Sequence, residues 1–189
     1  MIIHDLHFSF DDTVIFNGLN LEITDGKITA IMAPSGKGKS TLLRLISGLL
    51  KPSKGIIEFG QQSIGIMFQE PRLFGQLTAL QNVMLVINSK YDKKVYAMEL
   101  LTAFGVAEAA NKYPEELSGG MAKRVSLARA IAFNPDILLL DEPFSALDQQ
   151  TKMDVMMQAK RFLAKKTVIY VTHDAEEASV FADEIIVLQ

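Results

Sequence analysis

The apolar run Ile28-Thr29-Ala30-Ile31-Met32 leads into Ala33-Pro34-Ser35-Gly36-Lys37-Gly38-Lys39-Ser40-Thr41, and then into a helical pattern from Leu42 to Leu49. No other segment constrains the fold as much. A strand that ends in a glycine-rich turn and restarts at once as a helix aims several backbone N–H groups, and the positive end of the helix dipole, at one point. A plain turn of small residues is the alternative, and the Gly-Lys-Ser-Thr run at this junction argues against it. The turn Ser35, Gly36, Lys37, Gly38 would cradle phosphates of a nucleotide such as ATP. Lys39 would reach the β- and γ-phosphates, Ser40 would hold Mg²⁺, and Thr41 would touch the α-phosphate. The pattern usually opens with Gly, whereas this sequence has Ala33. A methyl there costs on the order of 1 kcal/mol if the backbone needs positive φ, and little otherwise.

Length and composition narrow the class. At 189 residues the chain is one domain with room for sub-domains. Hydrophobic residues at 49% and charged residues at 22% describe a globular chain, not a disordered or fibrous one. The net charge of −3 gives no basic field for nucleic acid, and the absence of Cys excludes disulfides and thiolate metal sites. The start, Met1-Ile2-Ile3-His4-Asp5, lacks the basic and apolar parts of a signal peptide, and no apolar run approaches a membrane span.

Strand-like runs come first, at Ile2 to Phe10, Leu19 to Ile23, Lys27 to Met32, Ile56 to Phe59 and Ile64 to Phe68. Thr78 to Asn111 reads as helical, with Leu80, Val83, Met84 and Ile87 on one face. Ser118 to Phe133 reads as a second helix. Strands and helices then alternate: Ile137 to Leu140, Thr151 to Lys165, Thr167 to Val171, Asp174 to Ala182 and Glu184 to Leu188. Such alternation implies an α/β fold with a parallel sheet.

Asp136-Ile137-Leu138-Leu139-Leu140-Asp141-Glu142-Pro143 is an apolar strand ending in two carboxylates. A buried parallel strand delivers its C-terminal end to the crevice where ligands bind. There Asp141 can orient Mg²⁺, and Glu142 can polarise an attacking water as general base. A polar strand end stopped by Pro is the bland reading. It weakens once the phosphate-binding turn is considered, because Lys39, Ser40 and Asp141 divide the work of one Mg-nucleotide site.

Between these motifs stands Leu117-Ser118-Gly119-Gly120-Met121, followed by Ala122-Lys123-Arg124-Val125-Ser126-Leu127-Ala128-Arg129-Ala130. The segment strongly resembles the signature of ATP-binding cassette (ABC) ATPases. The order of phosphate-binding loop, signature, Asp-Glu-Pro, Ser145-Ala146-Leu147-Asp148 and His173 matches that family along nearly the whole chain. The resemblance implies a P-loop NTPase (RecA-like) core with an N-terminal antiparallel β sub-domain and an inserted helical sub-domain. The division implied is 1–68 and 134–189 for the β part and core, and 69–133 for the helical part.

The same resemblance implies a head-to-tail homodimer in which Ser118, Gly119 and Gly120 of one chain bind the ATP held by the other. It assigns Gln69 to Mg²⁺ or the attacking water, His173 to the γ-phosphate, and Asp148 to communication between the two sites. Phe10 takes the place of an adenine-stacking aromatic, with Phe8 and Phe16 as competitors. Met121 replaces the commoner Gln of the signature. Phe68-Gln69-Glu70-Pro71-Arg72-Leu73-Phe74 and Leu77-Thr78-Ala79-Leu80-Gln81-Asn82-Val83 look like importers of the nitrate, sulfonate, taurine and thiamine-precursor group.

The partners implied are transmembrane permease subunits, received in a groove near the Gln69 loop and the helical sub-domain, and indirectly a solute-binding protein. The implied location is the cytoplasmic face of the bacterial inner membrane. Other readings stay open: an exporter ATPase, a soluble cassette that works on DNA or ribosomes, and, from Ala33, a nucleotide-binding module with weak turnover.

Overall fold

A computed structural model of the protein describes residues 1–34, 36–88, 90 and 92–188. A three-stranded antiparallel sheet is built from β1 (Ile2–Phe10), β2 (Thr13–Glu22) and β4 (Lys54–Glu58), in the order β2-β1-β4. The second strand begins at Thr13 and not near Leu19. A two-residue connection, Asp11-Asp12, pairs Phe10 with Thr13, and Asp11 takes the positive φ that such a hairpin requires.

Five parallel strands form the centre: β3 (Ile28–Met32), β5 (Ile64–Met67), β6 (Ile137–Asp141), β7 (Thr167–Thr172) and β8 (Glu184–Val187), ordered β5-β6-β7-β3-β8. Both faces of this sheet are covered. Ile28 and Ala30, Leu138 and Leu140, and Val168 and Tyr170 pack into one core with the helices. The alternate residues Ile31, Ile137, Leu139, Ile169 and Val171 pack into a second core with α1 (Lys39–Ile46) and the antiparallel sheet. Burial on both faces is why these strands read as unbroken apolar runs. Each fully buried Leu, Ile or Val contributes roughly 1.5–3 kcal/mol.

The stretch expected as helical from Thr78 to Asn111 is divided. α2 (Ala79–Met84) starts at a Thr78–Gln81 capping box. α3 (Lys93–Ala103) starts anew at Asp92, whose side chain accepts from Lys94 and Val95 N–H. It ends where Gly105, at φ 63°, closes two bonds, Gly105 N–H to Thr102 O and Val106 N–H to Leu101 O. A single 3₁₀ turn follows at Ala107–Ala109. The apolar face continues across these breaks, because Val83, Ile87, Ala97, Leu100 and Leu101 are all buried in the first core. Periodicity therefore persisted where the helix did not.

α4 (Gly119–Ala132) is capped by Ser118, α5 (Gln149–Phe162) by Asp148, and α6 (Ala175–Phe181) by Asp174. No helix among the described residues is long and apolar enough to cross a membrane.

Candidate nucleotide site

Parallel register brings four strand ends to one edge. Met32 pairs with Thr172, Asp141 with Val171, and Met67 with Leu140. The loops that leave these ends carry the phosphate-binding turn, Gln69, Glu142 and His173, in agreement with the rule that ligands sit beyond the carboxyl ends of such strands.

A cleft of about 390 Å³ is lined by Phe10, Ile15, Gly36, Gly38, Lys39, Ser40, Thr41, Gln69 and Glu142. Gly36 and Gly38 have φ of 81° and 80°. A Cβ on Gly38 would overlap Ile15 Cγ2 and come within 2.9 Å of Phe16 Cζ, so this glycine is required twice over. Ala33 is buried in the second core and does not adopt positive φ. Its methyl therefore escapes the cost that a left-handed backbone would impose. Ser35 lies outside the described residues. Lys37 is exposed and lines a larger groove of about 730 Å³ along β2, which carries no carboxylate. Phe10 is 44% exposed and faces the cleft, whereas Phe8 and Phe16 are 8% and 7% exposed and belong to the core.

The Lys39 ammonium is buried and donates to Ala33 O at 2.7 Å and Pro34 O at 3.1 Å. Its own loop satisfies it, and phosphate oxygens would take over that role. Ser40 Oγ donates to Asp141 Oδ1 at 3.0 Å, and both residues line a small hollow with Gln69. A few hard oxygen donors fit Mg²⁺, which leaves its other positions to water and phosphate. Burial pushes the Asp141 carboxyl above the usual range, against the Ser40 hydrogen bond, and the charge of Glu142 pushes it further. A cation there would reverse that logic.

Glu142 stands between two side chains. Its Oε2 accepts from Gln69 Nε2 at 3.2 Å, and its Oε1 lies 3.3 Å from His173 Nδ1. Its backbone has φ 46° and is held by Glu142 N–H to Val171 O at 3.1 Å and by Ser145 Oγ–H to Glu142 O at 2.9 Å. Such strain at a non-glycine residue persists only where the surroundings over-determine it. The result is a carboxylate fixed at the mouth of the cleft.

Ser118, Gly119, Gly120 and Asp148 do not line this cleft. Ser118 is exposed and accepts from Met121 N–H at 3.2 Å as the cap of α4. A Cβ on Gly119 would meet nothing within 4 Å, so the start of α4 is open on that side. Asp148 is exposed and accepts from Thr151 N–H at 3.0 Å.

Sequence reasoning missed two groups. Lys123 is buried and donates to Gln69 O. Burial pushes its ammonium down, while Asp141 and Glu142 push it back up. Lys152 on α5 bonds Asp174 Oδ2 at 2.9 Å and lies 3.7 Å from Glu177, a buried carboxylate on α6. Lys152 belongs to no motif, and Lys123 lies in the signature segment without a role assigned there, so only the packing of distant elements reveals their contacts.

Fold and cleft together define a P-loop cassette with an inserted helical region. A family signature described as ABC transporter matches residues 16–145. The chain is 41% identical, over 95% of its length and 75% of the relative's, to the aliphatic sulfonates import ATP-binding protein SsuB 1 of Rhodococcus jostii. It is 40% identical to the sulfate/thiosulfate import ATP-binding protein CysA of Synechocystis, over 100% of this chain and 58% of that one. A solved dimeric cassette, MJ0796 in a post-hydrolysis state bound to ADP and Pi, superposes with a TM-score of 0.88 at 32% identity, covering 100% of this chain and 94% of that one. The chain belongs to the ABC transporter family, and its relatives include both aliphatic sulfonate and sulfate/thiosulfate import ATP-binding proteins.

Proposed function

We infer that the chain is the ATP-hydrolysing subunit of a membrane importer, acting as a homodimer with Mg²⁺-ATP as substrate. The observation that carries this reading is Glu142, fixed between Gln69 and His173 at the mouth of a cleft floored by Gly36, Gly38, Lys39, Ser40 and Thr41. The import-type relatives and the dimeric ADP- and Pi-bound cassette support it.

In this reading Phe10 stacks on the adenine, and backbone N–H groups of the loop from Ser35 to Gly38 bind the phosphates. Lys39 leaves the carbonyls of Ala33 and Pro34 for the β- and γ-phosphates. Ser40, Asp141 and Gln69 would hold Mg²⁺, which would supply charge neutralisation at the phosphates. Glu142 takes the proton of the attacking water, and His173 and Gln69 hold that carboxylate and the water in line. Ser118 and the N–H groups of Gly119 and Gly120 meet the γ-phosphate of the partner's ATP, the arrangement to which an open helix start is suited. Asp148 links the two sites.

Residues 1–68 and 134–189 act as one unit and 69–133 as the mobile one. Permease subunits dock near the Gln69 loop, a solute-binding protein acts through them, and the dimer sits at the cytoplasmic face of the bacterial inner membrane. No nucleic-acid role is needed. Phosphate release from ATP by the purified chain tests the reading. Glu142→Gln should lower turnover at least 100-fold, and normal turnover in that variant would contradict the assignment.

A further inference from the structure

One face of α4 carries three donors at successive three-residue steps, Lys123, Ser126 and Arg129, and such positions share a side of the helix. All three point at backbone carbonyls of one short loop. Lys123 Nζ donates to Gln69 O, Ser126 Oγ to Pro71 O at 3.0 Å, and Arg129 Nη2 to Pro71 O at 3.1 Å and Arg72 O at 2.9 Å. The loop after β5 has no helix or strand of its own at 69–72, so its carbonyls need partners from elsewhere. Lys123 and Ser126 are themselves 3% and 2% exposed, whereas the Arg129 bond to Arg72 O lies at the surface. The residue held by Lys123 is the one whose side chain meets Glu142. Ser118, at the head of the same helix, lies within about 8 Å of rise of Lys123.

We propose that Lys123, Ser126 and Arg129 clamp the 69–72 backbone to α4, and that Lys123 is a positioning residue that sets Gln69 against Glu142. The functional half of this proposal rests on the reading of Glu142 as the base. The clamp itself does not.

The test compares wild type, Lys123→Met and Lys123→Arg by two readouts: amide hydrogen exchange of the 68–73 segment, and kcat and KM for Mg²⁺-ATP. Lys123→Met keeps the length and removes the donor. It should speed exchange of that segment about tenfold and lower kcat about tenfold, with KM for ATP changed less than twofold. Lys123→Arg should retain both protection and turnover within about threefold. Unchanged exchange in Lys123→Met overturns the clamp. Faster exchange with unchanged kcat, or a loss expressed in KM, overturns the positioning role. If Lys123→Met does not fold, Ser126→Ala decides by the same exchange readout, with an expected rise of a few fold and no rise as the overturning result. A wild type that hydrolyses no ATP contradicts the ATPase reading, while the exchange data still judge the clamp.

Discussion

Gly38 and Glu142 both have positive φ, for different reasons. Gly38 has it because the chain must turn tightly under Ile15 and Phe16. Glu142 has it because the turn to Ser145 aims its carboxylate. Gly38→Ala adds a methyl where there is no room, on a backbone that already costs about 1–2 kcal/mol for an L residue. It should lower the melting temperature and weaken ATP binding at least tenfold by titration calorimetry. Wild-type affinity would show that the loop relaxes freely. Residues of the phosphate-binding turn and the Asp141-Glu142 pair were legible in the sequence because their chemistry is local, fixed by a few neighbours on a strand end. Lys123, Lys152 and Glu177 were not, since nothing within a few residues of each reports that a distant helix or loop will bury it. Phe10 was the sequence's choice over Phe8 and Phe16, and only the packing around them shows that it is the exposed one of the three.

At the scale of elements, five helix starts repeat one device. Thr78, Asp92, Ser118, Asp148 and Asp174 each accept from N–H groups of the first turn. If capping were all that Ser118 did, Ser118→Ala would cost about 0.5–2 kcal/mol of stability and leave hydrolysis intact. Ser118→Ala should instead show that modest loss together with a fall in ATP turnover of at least about tenfold, measured side by side as melting temperature and phosphate release. Turnover that follows stability alone would remove Ser118 from the site.

The acidic caps also titrate. The Thr151 hydrogen bond holds Asp148, and the Lys152 ammonium holds Asp174, below the usual carboxylate value of 3.8. A carboxyl lowered on folding stabilises the fold above its unfolded pKa and loses that contribution as pH falls through the folded value. The starts of α5 and α6 should therefore weaken below about pH 4, and Asp174→Asn should flatten the acid limb of the stability curve followed by circular dichroism. An unchanged acid limb would contradict this. The central parallel strands were readable because burial on both faces leaves long apolar runs, whereas β2, half exposed, starts at Thr13 and not near Leu19. The break between α2 and α3 was less so, because Asp92 and Gly105 interrupt the helix while the apolar face continues.

Across the whole molecule, one chain provides a cleft with the Glu142 carboxylate, the Lys39 ammonium and, beside it, the strand-end carboxylate of Asp141. It also provides, at the open head of α4, a serine and two glycines that do not reach that cleft. Such a division makes sense if two copies complete each other. ATP then favours closure by contacts that only the closed pair offers. Sequence pattern placed both halves of this arrangement on one chain. That they sit apart on it is a property of the tertiary fold. Sedimentation of Glu142→Gln in Mg²⁺-ATP, with and without Ser118→Ala, tests this most directly. Glu142→Gln should form a stable ATP-dependent dimer that disappears when Ser118→Ala is added. A Glu142→Gln chain that binds ATP yet stays monomeric, or a dimer indifferent to Ser118, would contradict it.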